Sequence, residues 1–572
     1  MAPMINGLSL IVQLIKTMWI KIRKNSGMII TAFIFCGGMV CTLERRSLVF
    51  FFVAVLAVFA AVRIVTGCVT FSPIHVPLII LPLSYILASF SCGFTTFYSI
   101  GQSIMMCVPL LASLCLPNKR NIMPVIAIGA CFLCMASILG LVVPLIQNTL
   151  TPSGFHSDSR IRLQTLLNYA NTGAIVFGCG ILALIGIQPK KFKKTKYIAI
   201  TFLSICIILT GSRLGIAMTL AASAFYILYQ RRAIKAILVI VCVVSIAITA
   251  TIVIKPSLVL NSSLAMRAIY WSDALRAFAR NPIFGLGPEG YIFKLHELQT
   301  AIYTVTLVHN AYLQTAIDAG LIALLALLSV SAMALKQSWT DSKSVFFILV
   351  LLLLHSSLDI DLNFFPSLML LGLCISDSTL ANKSKHYKKT QFAVFVMIVP
   401  TIIVSLYLVI GESIYANGLK FDRSGRIKEA AETYHYSLLW MPRDFRSSIR
   451  LAGDYILMHE QEKAIEYLST IDCQNFNKAS RSELLVVAYK NLGYYPEWNA
   501  ESISLLMYAP YKNNSYKERA EYLLAAYYSM LITEGEYATE YKSLLNRIDE
   551  VNRSINGISR FLLEKDRLLR ID

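Results

Sequence analysis

Apolar stretches of near-membrane length recur along most of this chain, at 27–43, 47–66, 77–95, 101–116, 122–146, 169–187, 197–211, 214–230, 236–254, 311–334, 344–358, 364–380 and 392–410. A helix needs about 20 predominantly apolar residues to cross a bilayer, so the pattern predicts a bundle of about thirteen transmembrane helices. Water-soluble folds are excluded by the same count. With 56 % hydrophobic and 15 % charged residues, the chain carries more apolar surface than a soluble core can hide.

The formal charge of +19 raises the question of a nucleic-acid partner, and the placement of the basic residues answers it. Lys119 and Arg120, the run Lys190, Lys191, Lys193, Lys194 and Lys196, then Arg231, Arg232 and Lys235, and finally Lys383, Lys385, Lys388 and Lys389 fall in alternate loops between apolar runs. That is the signature of cytoplasmic loops, not of a polyanion groove. With the basic N-terminus also inside (Lys16, Lys21, Arg23, Lys24), it places 147–168, the turn at Arg213, the stretch 255–310, the turn 359–363 and everything after 410 outside. Only Glu44, Arg45 and Arg46 run against the rule. No cleavage site follows the first apolar run convincingly, so an uncleaved anchor in the cytoplasmic (inner) membrane is expected.

Most of the thirteen cysteines fall inside apolar runs, Cys36, Cys107, Cys206 and Cys242 among them. They read as small membrane-core residues, including the mid-helix Cys131 and Cys134, and neither a disulfide framework nor a zinc site is expected. Ionisable residues are sparse within the runs, whereas carriers and flippases keep them at the midplane. Composition changes at residue 411. From there to 572, patterns such as Ile427-Lys-Glu-Ala-Ala-Glu-Thr-Tyr434 and Glu462-Lys-Ala-Ile-Glu-Tyr-Leu468 predict an extracytoplasmic all-α domain, either tetratricopeptide-like helix pairs or a plain helical domain packed on the membrane part. The domains are therefore 1–410, with its long outer loop 255–310, and 411–572.

Chemistry-bearing residues collect on the predicted outer side. The first outer loop reads Ser157-Asp-Ser-Arg160-Ile-Arg162, with Asn168 and Asn171 entering the next helix. Guanidinium forks match phosphate oxyanions and never lose charge, while arginines at a helix end also snorkel to lipid headgroups. Arg213 lies in a Thr210-Gly-Ser-Arg213 turn that has almost no loop. The long outer segment carries Arg267-Ala-Ile-Tyr-Trp271, Arg276 and Asn281-Pro-Ile-Phe-Gly285-Leu-Gly287, and closes on Val308-His309-Asn310-Ala-Tyr312. Its glycines open no strand–helix unit, so a dinucleotide fingerprint is not supported. His309 at the surface suits a general base, with His156, His296 and His355 as rivals. Asp359 and Asp361, in the last outer turn, read as solvated loop acids or as groups that bind an acceptor or tune His309.

An outer arginine loop followed by Asn, a Gly-Ser-Arg turn, and a long loop running Arg…Trp…Pro-x-x-Gly-x-Gly…His-Asn-x-Tyr-Leu together resemble the O-antigen ligase family, most closely over residues 150–330. The family shares its fold with O-antigen polymerases and some bacterial protein O-oligosaccharyltransferases. The resemblance implies transfer of a preassembled glycan from undecaprenyl diphosphate to a protein or envelope-polymer acceptor, with no cofactor and no metal. It implies that Arg213, Arg267 and either Arg160 or Arg162 hold the diphosphate, that His309 is the base, and that Asn310 orients His309 or its loop, with Asn171 and Asp359 in support. A polymerase that extends lipid-linked glycan, a non-enzymatic exporter of the same lipid and an assembly scaffold are the rival readings.

Overall fold

The computed structural model describes residues 26–41, 46–66, 71–91, 97–115, 122–142, 156–157, 160–187, 193–232, 263–301, 307–375, 388–471 and 478–556, with the single positions 69, 303 and 305. The N-terminal segment, the apolar run 236–254 and Cys473 lie outside these residues.

The first half comprises helices α1 (Ser26–Gly38), α2 (Arg46–Val65), α3 (His75–Ser91), α4 (Phe97–Met105), α5 (Val108–Ser113), α6 (Ile122–Val142), α7 (Ala170–Gly186), α8 (Lys193–Thr210) and α9 (Arg213–Gln230). A two-residue ladder, His156–Ser157 with Arg160–Ile161, precedes α7. Then come α10 (Ser263–Arg280), α11 (Gly290–Leu298), α12 (Ala311–Asp341), α13 (Lys343–Ser356), a 3-10 turn at Asp361–Asn363, α14 (Phe365–Ile375) and α15 (Lys388–Arg423). The remainder is α16 (Ile427–Trp440), α17 (Phe445–Leu457), α18 (Gln461–Thr470), α19 (Lys478–Leu492), α20 (Tyr495–Tyr508), α21 (Asn513–Tyr528) and α22 (Glu534–Asn556).

The protein is thus essentially all-helical. Among the described residues, four helices are long and apolar enough to cross a membrane, and six shorter apolar helices accompany them. The run 101–116 is broken at Met106 and Cys107, and Pro109 lies in the first turn of α5, where its missing N–H costs nothing. At the centre stands α7, buried along nearly its whole length and packed by α6, α8, α9 and α13. A Cβ at Gly180 would collide with that of Ala130 on α6, so the close approach of these two helices requires glycine.

Helix α12 is broken at Gly320, where φ is +77. The turn after α10 fits into the break: Leu321 N donates to Pro282 O at 2.8 Å and Leu286 N to Ile317 O at 2.6 Å. Burial changes there as well, from continuous over residues 314–320 to an alternation with exposed Leu321, Ile322, Leu325 and Leu328 beyond it. Residues 263–310 form a packed layer with a core of Tyr270, Ala274, Leu286, Tyr291, Val308 and Ile317.

Arg46, the exception to the loop-charge rule, is ion-paired with Glu289 of that layer. Burial raises the Glu289 carboxyl to about 7, and the Arg46 charge offsets only part of this. A carboxyl whose folded pKa exceeds its ordinary 4.5 lends stability below the unfolded value and loses it as the pH rises through the folded one. Glu289→Gln is therefore expected to flatten the fall in thermal stability between pH 4.5 and 7. Parallel melting curves for variant and parent across that window would disprove it.

The composition change at 411 falls inside the continuous α15. Beyond it each helix from α16 to α22 packs on its neighbour. Arg446 of α17 holds Glu412 of α15 through two bonds of 3.0 and 2.7 Å. Phe445 meets Phe293 of α11 edge-on, with centroids 5.2 Å apart, so these helices sit against the 263–310 layer.

Candidate active site

Four helix ends converge beneath that layer: the starts of α7, α9 and α12 and the end of α13. Their opposite ends carry the basic loops, where Lys196 donates to the carbonyls of Ile185 and Ile187 at 3.3 and 2.8 Å. The convergence gathers residues far apart in sequence around one carboxylate, Asp359, which is 1 % exposed.

Asp359 accepts five hydrogen bonds. One oxygen takes the Tyr169 hydroxyl at 2.6 Å, His309 Nδ1 at 3.0 Å and Ile360 N at 2.9 Å. The other takes Asn171 Nδ2 at 2.8 Å and an Arg267 guanidinium nitrogen at 3.3 Å. Arg267 also donates to the carbonyl of Leu358. Burial pushes the carboxyl up, but the hydrogen bond and charge of His309, the charge of His355 and the Tyr169 hydroxyl outweigh it and hold Asp359 below the usual carboxylate range. The reading of Asp359 and Asp361 as solvated loop acids is corrected here: both are buried and fully engaged, because the layer and the start of α7 close over their turn.

His309 is held from both sides. Trp271 Nε1 donates to Val308 O at 2.6 Å, and Val308 N donates to Gln314 Oε1 at 3.0 Å. Its backbone is left-handed, with φ of +47, a costly conformation for a residue with a Cβ. Asn310 makes no hydrogen bond to the imidazole. Its side chain caps α12, accepting from the amides of Tyr312 and Leu313 at 3.1 and 3.0 Å, and so fixes the loop that carries His309. With Nδ1 on Asp359, a neutral imidazole carries its proton there and presents Nε2 as a lone pair. The His309 side chain is 22 % exposed.

Arg162 joins the network through Asn171, whose Oδ1 accepts from its guanidinium at 3.0 Å, and through Thr210 O at 2.8 Å. Arg160 lies in the short ladder with its backbone opposite Ser157, and its side chain is outside the described residues. Arg213 begins α9 directly after Ser212, the helix cap, and Gly211 packs on Arg162. It is exposed and makes no hydrogen bond or ion pair among the described residues.

Two of the rival histidines are engaged elsewhere. His355 is fully buried on Asp361 at 2.6 Å, and Thr172 donates to the same carboxylate at 2.8 Å. His296 contacts Gln299 at 3.2 Å, and the His156 side chain lies outside the described residues. Sequence reasoning missed Tyr169. Its hydroxyl also lies 3.2 Å from His309 Nδ1 and its ring stacks on Phe364, yet in sequence it reads as the first residue of an apolar run. Proximity to Asn171 was the only available signal.

The O-antigen ligase family model matches residues 198–328. That span runs from within α8 to within α12, so it includes Arg213, Arg267, His309 and Asn310 and leaves out Arg162, Asn171 and Asp359. No curated protein matches the chain. Residues 198–328 are thus similar to the O-antigen ligase family, over the stretch that holds His309 and two of the arginines.

Proposed function

We propose that the protein transfers a preassembled glycan from undecaprenyl diphosphate to an acceptor hydroxyl at the outer face of the cytoplasmic membrane. The observation that carries this reading is the pairing of His309 and Arg267 on one buried carboxylate, which sets a proton acceptor and a phosphate-matching cation side by side.

The acceptor O–H gives its proton to Nε2 of His309 as its oxygen attacks the anomeric carbon. The bond from that carbon to the diphosphate breaks, and undecaprenyl diphosphate leaves with the electron pair. Arg213, Arg267 and Arg162 stabilise the charge that develops on the departing phosphate, a role fixed cations fill well in a partly dehydrated site. Arg213 spends none of its side-chain donors among the described residues. Arg267 has donors beyond those it spends on Asp359 and Leu358. Asn171 ties Arg162 to Asp359, so one network sets the positions of base and cations. A protein or envelope polymer is the acceptor that suits a helical domain docked beside the site.

The test is incubation of purified protein with an undecaprenyl-diphosphate-linked oligosaccharide and envelope extract, followed by identification of the glycosylated product. Arg213→Ala is expected to lower transfer by about 10²–10³-fold while the protein stays inserted and folded. Full activity in that variant would remove Arg213 from the mechanism. Lengthening of the lipid-linked glycan in place of an attached product would identify a polymerase.

A further inference from the structure

The helix after the last apolar run carries a stripe that stays largely exposed among the described residues. Helix α16 runs back antiparallel along α15, as three contacts in register show: Gly418 faces Tyr434, Gly411 faces Met441, and the Tyr407 hydroxyl donates to the carbonyl of Trp440. The Tyr407 and Trp440 rings also touch, with centroids 5.4 Å apart. Tyr407 lies inside the apolar run that ends at 410, within one helical turn, about 5 Å, of its end. The tip of α16 therefore returns to the level at which α15 leaves the bilayer.

At that tip, Tyr436, Leu439 and Trp440 follow the i, i+3, i+4 spacing of one helical face, and Arg443 lies just past the helix end. Tyr436 is 61 % and Leu439 64 % exposed, Trp440 is 38 % exposed, and Arg443 is exposed in the turn that follows. A soluble domain does not ordinarily present such a stripe to water. It adjoins the exposed apolar strip of α15, made by Ile403, Leu406 and Ile410. An aromatic pair at the depth of a span's end, with an aliphatic neighbour and a cation one turn further on, has the composition of a membrane-interface anchor.

We propose that the tip of α16 is inserted in the headgroup region of the bilayer that α15 crosses, with Leu439 and Trp440 at the acyl boundary and Arg443 among lipid phosphates. The C-terminal helices are then held by three attachments: the rod of α15, the contact of Phe445 with Phe293, and the lipid surface itself. This rests on α15 crossing a bilayer and is independent of the chemistry at His309.

The test uses the full chain in phospholipid nanodiscs holding one copy each, prepared with ordinary lipid or with lipid brominated near the top of its acyl chains. The emission of Trp440 is isolated as the difference between the parent and Trp440→Phe, a substitution that keeps the backbone carbonyl used by Tyr407. Loss of that difference emission in brominated discs is expected. Placing the probe one residue away, as Leu439→Trp in the Trp440→Phe background, is expected to restore a quenchable signal. Equal difference emission in the two kinds of disc, at both positions, would overturn the proposal and leave the stripe to water or to a second protein.

Discussion

His309→Ala is expected to lower the rate of glycan transfer by about 10²–10⁴-fold, the range a positioned general base supplies, with little change in folding. The imidazole is 22 % exposed, and the segment that carries it is held by Trp271 and Gln314 through the backbone of Val308, bonds that remain in the variant. Asp359 keeps four of its five donors. The measurement is the initial rate of product formation by purified parent and variant, with thermal unfolding recorded on the same samples. A variant within a few-fold of the parent rate would refute the role of base. Because Nδ1 is committed to Asp359, the activity is assigned to Nε2, and His309→Gln, whose amide reaches similarly but accepts no proton, is expected to be as impaired as alanine.

Asp359→Asn is expected to be at least as damaging, for two separable reasons. All five groups that contact this carboxylate donate to it, so an amide nitrogen in place of one oxygen turns a donor toward donors. It also removes the counter-charge from Arg267, and breaking a buried pair on one side costs about 3–5 kcal/mol. The catalytic consequence arises from the imidazole: without an anion on Nδ1 the ring is free to take the other tautomer, a change that lowers the rate by about 10⁴-fold in the serine-protease triad. Lowered thermal stability together with a lost rate in the folded fraction is the expected result. A folded fraction with parental turnover would leave Asp359 a purely structural residue. Its carboxyl lies below the usual range, so the stability it lends is present above the ordinary carboxylate pKa and lost only as the pH falls through its lowered value.

The helical nature of the chain is legible in the apolar runs because each is long, and length and hydropathy are properties of a local window. The site is legible only as separate pieces. Arg213, Arg267 and His309 stand beside recognisable turns and helix starts, and the family model reaches all three. Asp359 looks like any acid in a short loop, because its burial is supplied by Arg267 and Tyr169, 92 and 190 residues away. Tyr169 is hidden for the reverse reason, since an aromatic at the edge of an apolar run needs no special role. The choice between Arg160 and Arg162 rested on two neighbours of equal charge, and only Arg162 has a described side chain, which reaches Asn171. Arg46 opposed the charge rule because its partner Glu289 lies 243 positions on.

The continuity of α15 has a consequence of phase. Its 36 residues make a rod about 54 Å long at 1.5 Å per residue, and a bilayer core occupies only about 30 Å of it. Because no loop separates the membrane part from the helices that follow, the azimuth of those helices about the rod is set by residue count, and each residue added or removed before Glu412 turns them by about 100°. The alignment of Phe445 with Phe293 is therefore encoded as an integer along one helix, and the C-terminal domain is indexed to the site in the manner of a key cut on its shaft.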